Sequence, residues 1–398
     1  LTAGNTRNYN FVVASAARGT RVVLFLSIGL AVLIPAQKSS ARPQLKIAIL
    51  APVSGPTFGA SMRDGALLAI DQWNSRGGVL GAEIFPVVED SHCAPDEAVN
   101  AANKVIGFDK VHYIIGEVCS QASIPISEIA NAARVIQISP VSTHPGVTVD
   151  TTGATKPYVF RACFIDSFQG KAGAEFAYRK LGARRAFLTL DQGDDYSVGL
   201  SQSFAASFRA LGGTIVAEEK HTFVDTDFSA ILAKVKAMKP DVVYLPDYYG
   251  IVNLVMRQAK EKGITVPFLG GDAWDSYDLD VAAAAGGYYT DHYDASDPRP
   301  EVKTFLQAWG VRHQMSLGSP LTPDSSAAMA YDATNLLLTA ITIAGADDTG
   351  RVKAALEHIT FKGVSGAIRF DAQHNPVKGA VIIHVTNGRK IFDSFISP

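Results

Sequence analysis

Lys46-Ile47-Ala48-Ile49-Leu50-Ala51-Pro52-Val53-Ser54-Gly55-Pro56 opens with branched apolar residues in a run short enough for one buried strand, and it closes in a turn. The glycine spacing of that turn does not suit a pyrophosphate, so neither a dinucleotide fingerprint nor a P-loop follows the first strand. A helix comes next. Met62, Ala66, Ile70 and Trp73 fall on one face, and Gly77-Gly78 ends it. Working outward, strands are expected at 84–89, 111–115 and 135–138, with a helix at 122–133 between the last two.

The pattern then restarts. Strands are expected at 185–190, 214–219, 241–245 and 267–269, and helices near 201–211, 228–238 and 252–262, with Asp227 as an N-cap and Lys239-Pro240 as a stop. Beyond Tyr288 the order loosens to helices at 304–316 and 325–344 and strands at 368–370 and 380–385. Pro298-Arg299-Pro300 and 317–323 are read as loops. Two successive βαβα series imply an α/β protein of two doubly wound parallel-sheet lobes, with the tail returning to complete each. The expected division is 42–165 plus 291–370 for one lobe and 166–290 plus 371–398 for the other, with a cleft between.

The first residues read differently. Arg18 and Arg21 precede an apolar run at 22–34 and a small-residue stretch ending Ser39-Ser40-Ala41, the layout of a secretory leader cut after Ala41. The run is short of the roughly 20 residues that a membrane span needs, and no later segment is expected to span. Past Ala41 there remain 32 basic and 38 acidic residues, a net charge of −6 that gives no reason to bind nucleic acid or anionic lipid. No cysteine lies near the cut, which favours a freely soluble periplasmic protein over a lipid-anchored one. Cys93 and Cys119 each follow an expected strand and could meet at neighbouring strand ends, where a bridge would contribute roughly 3 kcal/mol. Cys163 reads as a buried free thiol.

Enzyme signatures are absent from the sequence: there is no GxSxG elbow and no HExxH or CxxC metal spacing, and the nine histidines are scattered. Neither a catalytic residue, a metal nor a cofactor is therefore expected. Two stretches instead look like halves of a clamp. In Glu117-Val118-Cys119-Ser120-Gln121, Ser120 sits between a strand and a helix, either as a plain N-cap or as an anion ligand beside free helix N–H groups. Ser139-Pro140-Val141-Ser142-Thr143 offers two more hydroxyls at an adjacent strand end, where ligands of doubly wound sheets sit. Opposite these, Asp194-Asp195-Tyr196, Asp247-Tyr248-Tyr249 and Asp272-Ala273-Trp274-Asp275 each put acid and ring after a strand, suited to an ammonium group.

By these residues, and by Asn74-Ser75-Arg76-Gly77-Gly78, Phe160-Arg161, Asp166-Ser167-Phe168-Gln169-Gly170 and Asp227-Phe228-Ser229-Ala230, the chain resembles the periplasmic leucine/isoleucine/valine-binding proteins. These are substrate-binding subunits of branched-chain amino acid ABC transporters, with the type I periplasmic binding protein fold. The resemblance runs from about 46 to 392 and implies a monomeric receptor that closes on an amino acid and delivers it to a membrane permease. It implies that Ser120 and Thr143 hold the ligand carboxylate, with Val141 and Ser142 beside them, and that Tyr196 and Tyr248 close over the ligand. Asp272 stands where the family has an amine-binding glutamate, Phe58 where a tyrosine is common, Cys93 and Cys119 match a disulfide, and Asp166 begins the second lobe. Three departures bear on specificity: Asp272 is one methylene short, Asp247 replaces a residue that is often glycine, and Trp274 is bulky. A polar, larger or aromatic ligand, or an amide, urea or aromatic-acid sensor of the same fold, stays open.

Overall fold

The computed structural model describes residues 42–315, 322–386 and 388–398; the expected leader and most of the expected loop at 317–323 lie outside them. The unit Arg42–Pro398 is built on two large sheets. The first holds β1 (Gln44–Ala51), β2 (Glu83–Asp90), β3 (Tyr113–Gly116), β4 (Ile136–Ser139) and β5 (Val159–Arg161) in the order β2-β1-β3-β4-β5, all parallel. Helices α1 (Thr57–Ser75), α2 (Pro95–Gly107) and α3 (Ser120–Ala132) make the crossovers. Parallel strands covered on both faces need continuous apolar runs. Accordingly every residue of β3 and β4 is buried.

After β5 the chain enters α4 (Asp166–Glu175) and the second sheet. There β6 (Arg185–Asp191), β7 (Thr214–His221), β8 (Val242–Tyr244), β9 (Phe268–Gly270) and β10 (Tyr288–Asp291) alternate with α5 (Asp195–Ala210), α6 (Ser229–Met238) and α7 (Tyr249–Glu261). The chain then leaves for α8 (Pro300–Arg312), α9 (Ser325–Ala344), α10 (Thr349–His358) and a hairpin of β11 (Phe361–Gly363) and β12 (Gly366–Ile368). It returns as β13 (Ala380–Thr386) and β14 (Arg389–Ile396), which extend the second sheet antiparallel, in the order β14-β13-β10-β9-β8-β6-β7. The expected fold class is the observed one, with this antiparallel edge added.

Several boundaries differ from expectation for local reasons. Helix α5 starts at Asp195 rather than near 201, because the Asp194 carboxylate caps it by accepting the Ser197 N–H at 3.0 Å. Helix α8 starts at Pro300, inside the expected loop, since a proline at the first helical position loses no hydrogen bond. Phe228, not Asp227, is the N-cap of α6. Helix α9 corrects the expectation that no later segment is long and apolar enough to span a membrane: it has 20 residues and contains an 18-residue stretch of mean hydropathy 1.3. It is a core helix. Most of that stretch is buried, and Leu336, Leu337 and Ile341 pack with Ile47, Ile49 and Ile114 of the first sheet.

Candidate functional site

In each large sheet the strand order reverses once within its parallel part, between β1 and β3 in the first and between β6 and β8 in the second. Loops leaving the carboxyl ends of such strands diverge and leave a crevice. Phe58 follows β1, Val118 and Ser120 follow β3, Val141 and Thr143 follow β4, while Tyr196 follows β6, Tyr248 follows β8 and Asp272 follows β9. The two crevices face each other. Phe58 stacks on Tyr248 at 5.7 Å between ring centroids, and Tyr248 lies 5.5 Å from Tyr196.

Between them is a cavity of about 20 Å³ lined by Phe58, Val118, Val141, Tyr196, Tyr248, Asp272, Ala273, Asp275, Ser325 and Ser326. That volume holds about one water, so the cleft is closed.

On the second sheet, Asp272 is the hub. Its Oδ1 accepts from Gln169 Nε2 at 2.7 Å and from Tyr196 Oη at 3.0 Å, and its Oδ2 accepts from His292 Nε2 at 3.1 Å. Burial pulls His292 below the usual imidazole range even against the Asp272 charge, so the ring is a neutral donor. Asp275 accepts the Ser325 N–H at 2.7 Å and Lys390 Nζ at 2.5 Å. Burial opposes its charge, and Lys390 nevertheless holds its carboxyl below the ordinary value.

On the first sheet, Glu117 anchors the loop that carries Val118 and Ser120. Its main-chain carbonyl accepts three hydroxyls, from Ser123 at 3.0 Å, Ser139 at 2.9 Å and Ser142 at 2.8 Å. Its wholly buried carboxyl accepts from Ser91 Oγ at 2.6 Å and from the Cys119 N–H, and burial pushes it up to about 8. Arg161, also buried, donates to the Ser142 carbonyl at 2.7 Å and the His144 carbonyl at 2.8 Å and so shapes the loop bearing Val141 and Thr143. Cys93 and Cys119 are bridged, with Cα atoms 5.6 Å apart, and Cys163 is a buried free thiol.

The expected site residues divide. Phe58, Val141, Tyr196, Tyr248 and Asp272 line the cavity. Ser120 is the first residue of α3 rather than its cap, which is Cys119, and its buried Oγ accepts the His144 N–H at 3.3 Å. Thr143 is buried with its hydroxyl unpartnered. Nearby Asp166 has both carboxylate oxygens unpartnered, and burial pushes its carboxyl to about 7.

Three expectations are corrected. Trp274 is fully buried in the core of the second sheet, its indole N–H donating to the Leu245 carbonyl at 2.9 Å, because a ring of that size finds its apolar partners behind Gly270 rather than in the cleft. Asp247 is turned to His221, 3.3 Å away, and to Ser197 Oγ at 3.2 Å, so its charge is answered inside the lobe. Ser142 spends its hydroxyl on the Glu117 and Val118 carbonyls and on Ser123.

Four residues at the cleft were not expected from the sequence: Ser325 and Ser326, which line the cavity, and Gln169 and His292, which hydrogen-bond Asp272. The two serines open α9, far from either βα series, and the only local signal is the Asp324 cap, which accepts the Ala327 N–H at 2.9 Å.

Two α/β sheets whose strand-end loops close on one cavity, with acid and rings among its lining, have the architecture of a solute-binding protein. Residues 44–390 match the sequence profile of the periplasmic binding proteins, and the chain belongs to that family. The leucine-, isoleucine-, valine-, threonine- and alanine-binding protein of Pseudomonas aeruginosa is 29% identical over 89% of this chain and 93% of its own. LivK, a leucine-binding protein of Thermotoga maritima, superposes with a TM-score of 0.81 at 35% identity, covering 89% of this chain and 99% of its own. LivJ, the branched-chain amino acid transporter substrate-binding protein of Streptococcus pneumoniae solved with isoleucine, gives 0.81 at 31% identity over 89% of this chain and 100% of its own.

Proposed function

We propose that this protein captures a free amino acid with an apolar side chain between two lobes, 42–165 plus 291–370 and 166–290 plus 371–398, and delivers it as a monomer to an ABC permease. The observation that carries the reading is the cavity itself, where Asp272 and Tyr196 of the second sheet's loops meet Val118 and Val141 of the first's, close in sequence to Ser120 and Thr143. Phe58, Val118, Val141 and Tyr248 supply apolar walls for an aliphatic side chain. Relatives described as binding leucine, isoleucine and valine support the same class. Catalysis is no part of this reading. The periplasm is the place of action, and residues 1–41 are proposed as the leader, which mass spectrometry of envelope protein tests by a start near Arg42.

A second reading, a small amide, urea or aromatic acid, draws on Asp272 already accepting three hydrogen bonds. One thermal-shift panel separates the two. Leucine, isoleucine or valine should raise Tm, by about 2.7 kcal/mol of stabilisation at a hundredfold excess over Kd. A response confined to amides or aromatic acids selects the second reading, and no response to any amino acid or small acid overturns both.

A further inference from the structure

A second cavity, about 700 Å³, lies among the crossing segments 292–299 and 377–381, β12 and β14, and shares no lining residue with the cleft. Its volume is within the range of small-molecule sites. Val377, Val381, Phe392 and Phe395 line it, and Val377, Phe392 and Phe395 are 52%, 44% and 58% exposed, a cluster of uncovered apolar side chains on one concave surface.

Beside Ser365, which is 7% exposed, two nitrogen-bearing side chains of the lining are almost wholly buried. Lys378 is 6% exposed, and its Nζ donates to one oxygen, Ser365 Oγ, at 2.7 Å, with a weak contact to Met329 Sδ at 3.7 Å. An ammonium has three N–H donors, so donor capacity remains. The acid behind it, Asp332, is engaged through Ser365, whose hydroxyl donates to Asp332 Oδ2 at 2.7 Å. The second is His292, 3% exposed: Nε2 is committed to Asp272 and Nδ1 has no partner. Of the other charged lining residues, Arg299 and Asp297 pair with each other at 2.7 Å and Asp294 takes the Ser296 N–H at 3.0 Å. A buried cation with spare donors, answered by a neutral hydroxyl and set beside apolar walls, matches an anion with a hydrocarbon body.

We propose that this cavity is a second ligand site, for a small apolar monocarboxylate, its carboxylate on Lys378 and its hydrocarbon against Val381, Phe392 and Phe395. Burial lowers the Lys378 ammonium to about 8, still largely charged at neutral pH. The proposal is independent of which molecule the cleft takes.

The test is calorimetric titration of sodium hexanoate into the full chain at pH 7. Saturable one-to-one binding is expected, weakened about tenfold or more in Lys378→Met, the loss of a charge-assisted hydrogen bond. Because Lys378 is buried and its replacement could disturb folding, Val377→Trp, on the exposed wall, is the independent variant; it fills the cavity and should cost a similar factor. Hexanoate binding retained at full strength by Val377→Trp overturns the proposal, since the acid then sits elsewhere, the cleft included. So does the absence of binding by the parent up to about 10 mM.

Discussion

Glu117 shows how one buried group ties the site to pH. Its carboxyl has an ordinary value of 4.5 and stands at about 8 in the fold, pushed up by burial. Between those values the folded protein keeps a proton that the unfolded chain releases, so stability is full below about pH 4.5 and is lost as pH rises toward 8. Each pH unit in that window removes at most about 1.4 kcal/mol. Glu117→Gln cannot ionise, so urea unfolding should find it gaining on the parent from pH 5 to 8 and level thereafter. A difference independent of pH would mean that Glu117 is charged in the fold. Asp272, Tyr196, Tyr248 and Phe58 could be placed at the cleft from the sequence because each stands past a strand end, and all four line the cavity. Asp247 and Trp274 stand past strand ends too. Their fates depended on partners far away in sequence, His221 for the acid and the packing behind Gly270 for the indole, which local reading does not reach.

Helices α1 and α9 frame the cleft from the first sheet, and their contact is set by one glycine. A Cβ on Gly65 would stand 2.1 Å from the Ala327 carbonyl oxygen, with backbone rather than a flexible tip in the way. Gly65→Ala should therefore force the helices apart and destabilise by about 1–3 kcal/mol, outweighing the usual helical gain from replacing glycine. Urea unfolding checks this, and a variant as stable as the parent would show that the two helices shift freely. Long periodic elements such as α1 and α9 were readable from their apolar spacing. The start of α5 was not, because its first turn, Asp195-Tyr196-Ser197, carries cap and site chemistry instead of the apolar period that begins at Leu200. Of the antiparallel edge of the second sheet, β13 matches the strand expected at 380–385, while β14 escaped for another reason. β14 is an edge strand with no buried residue, and Ile391, Phe392 and Phe395 are exposed, so it lacks the signature of a buried strand.

At the scale of the whole molecule, function rests on opening. A cavity of about 20 Å³ admits no amino acid, and direct contacts already join the two sheets' loops, Thr57 Oγ1 to Ser276 Oγ at 3.0 Å and the Ser325 N–H to Asp275. Three chain crossings, after β5, after β10 and before β13, link the two sheets and are where the proposed opening would hinge. Joining the lobes with Thr57→Cys and Ser276→Cys should abolish ligand binding when oxidised and restore it on reduction; equal binding in both states would mean that the ligand enters without separation of the lobes. In the proposed function, closure brings an ammonium to Asp272 and a carboxylate to Ser120 and Thr143. Removing one charged partner from such a desolvated site costs about 2–5 kcal/mol, roughly 30-fold or more in affinity. The direct measurement is calorimetric titration of parent and Asp272→Asn with leucine and with 4-methylpentanoate, the same skeleton without the amine. Leucine should bind the parent tightly and the variant at least about 30-fold more weakly, with the analogue weak and little changed between them. Equal losses for both molecules, or an analogue that binds the parent as tightly as leucine, would contradict it.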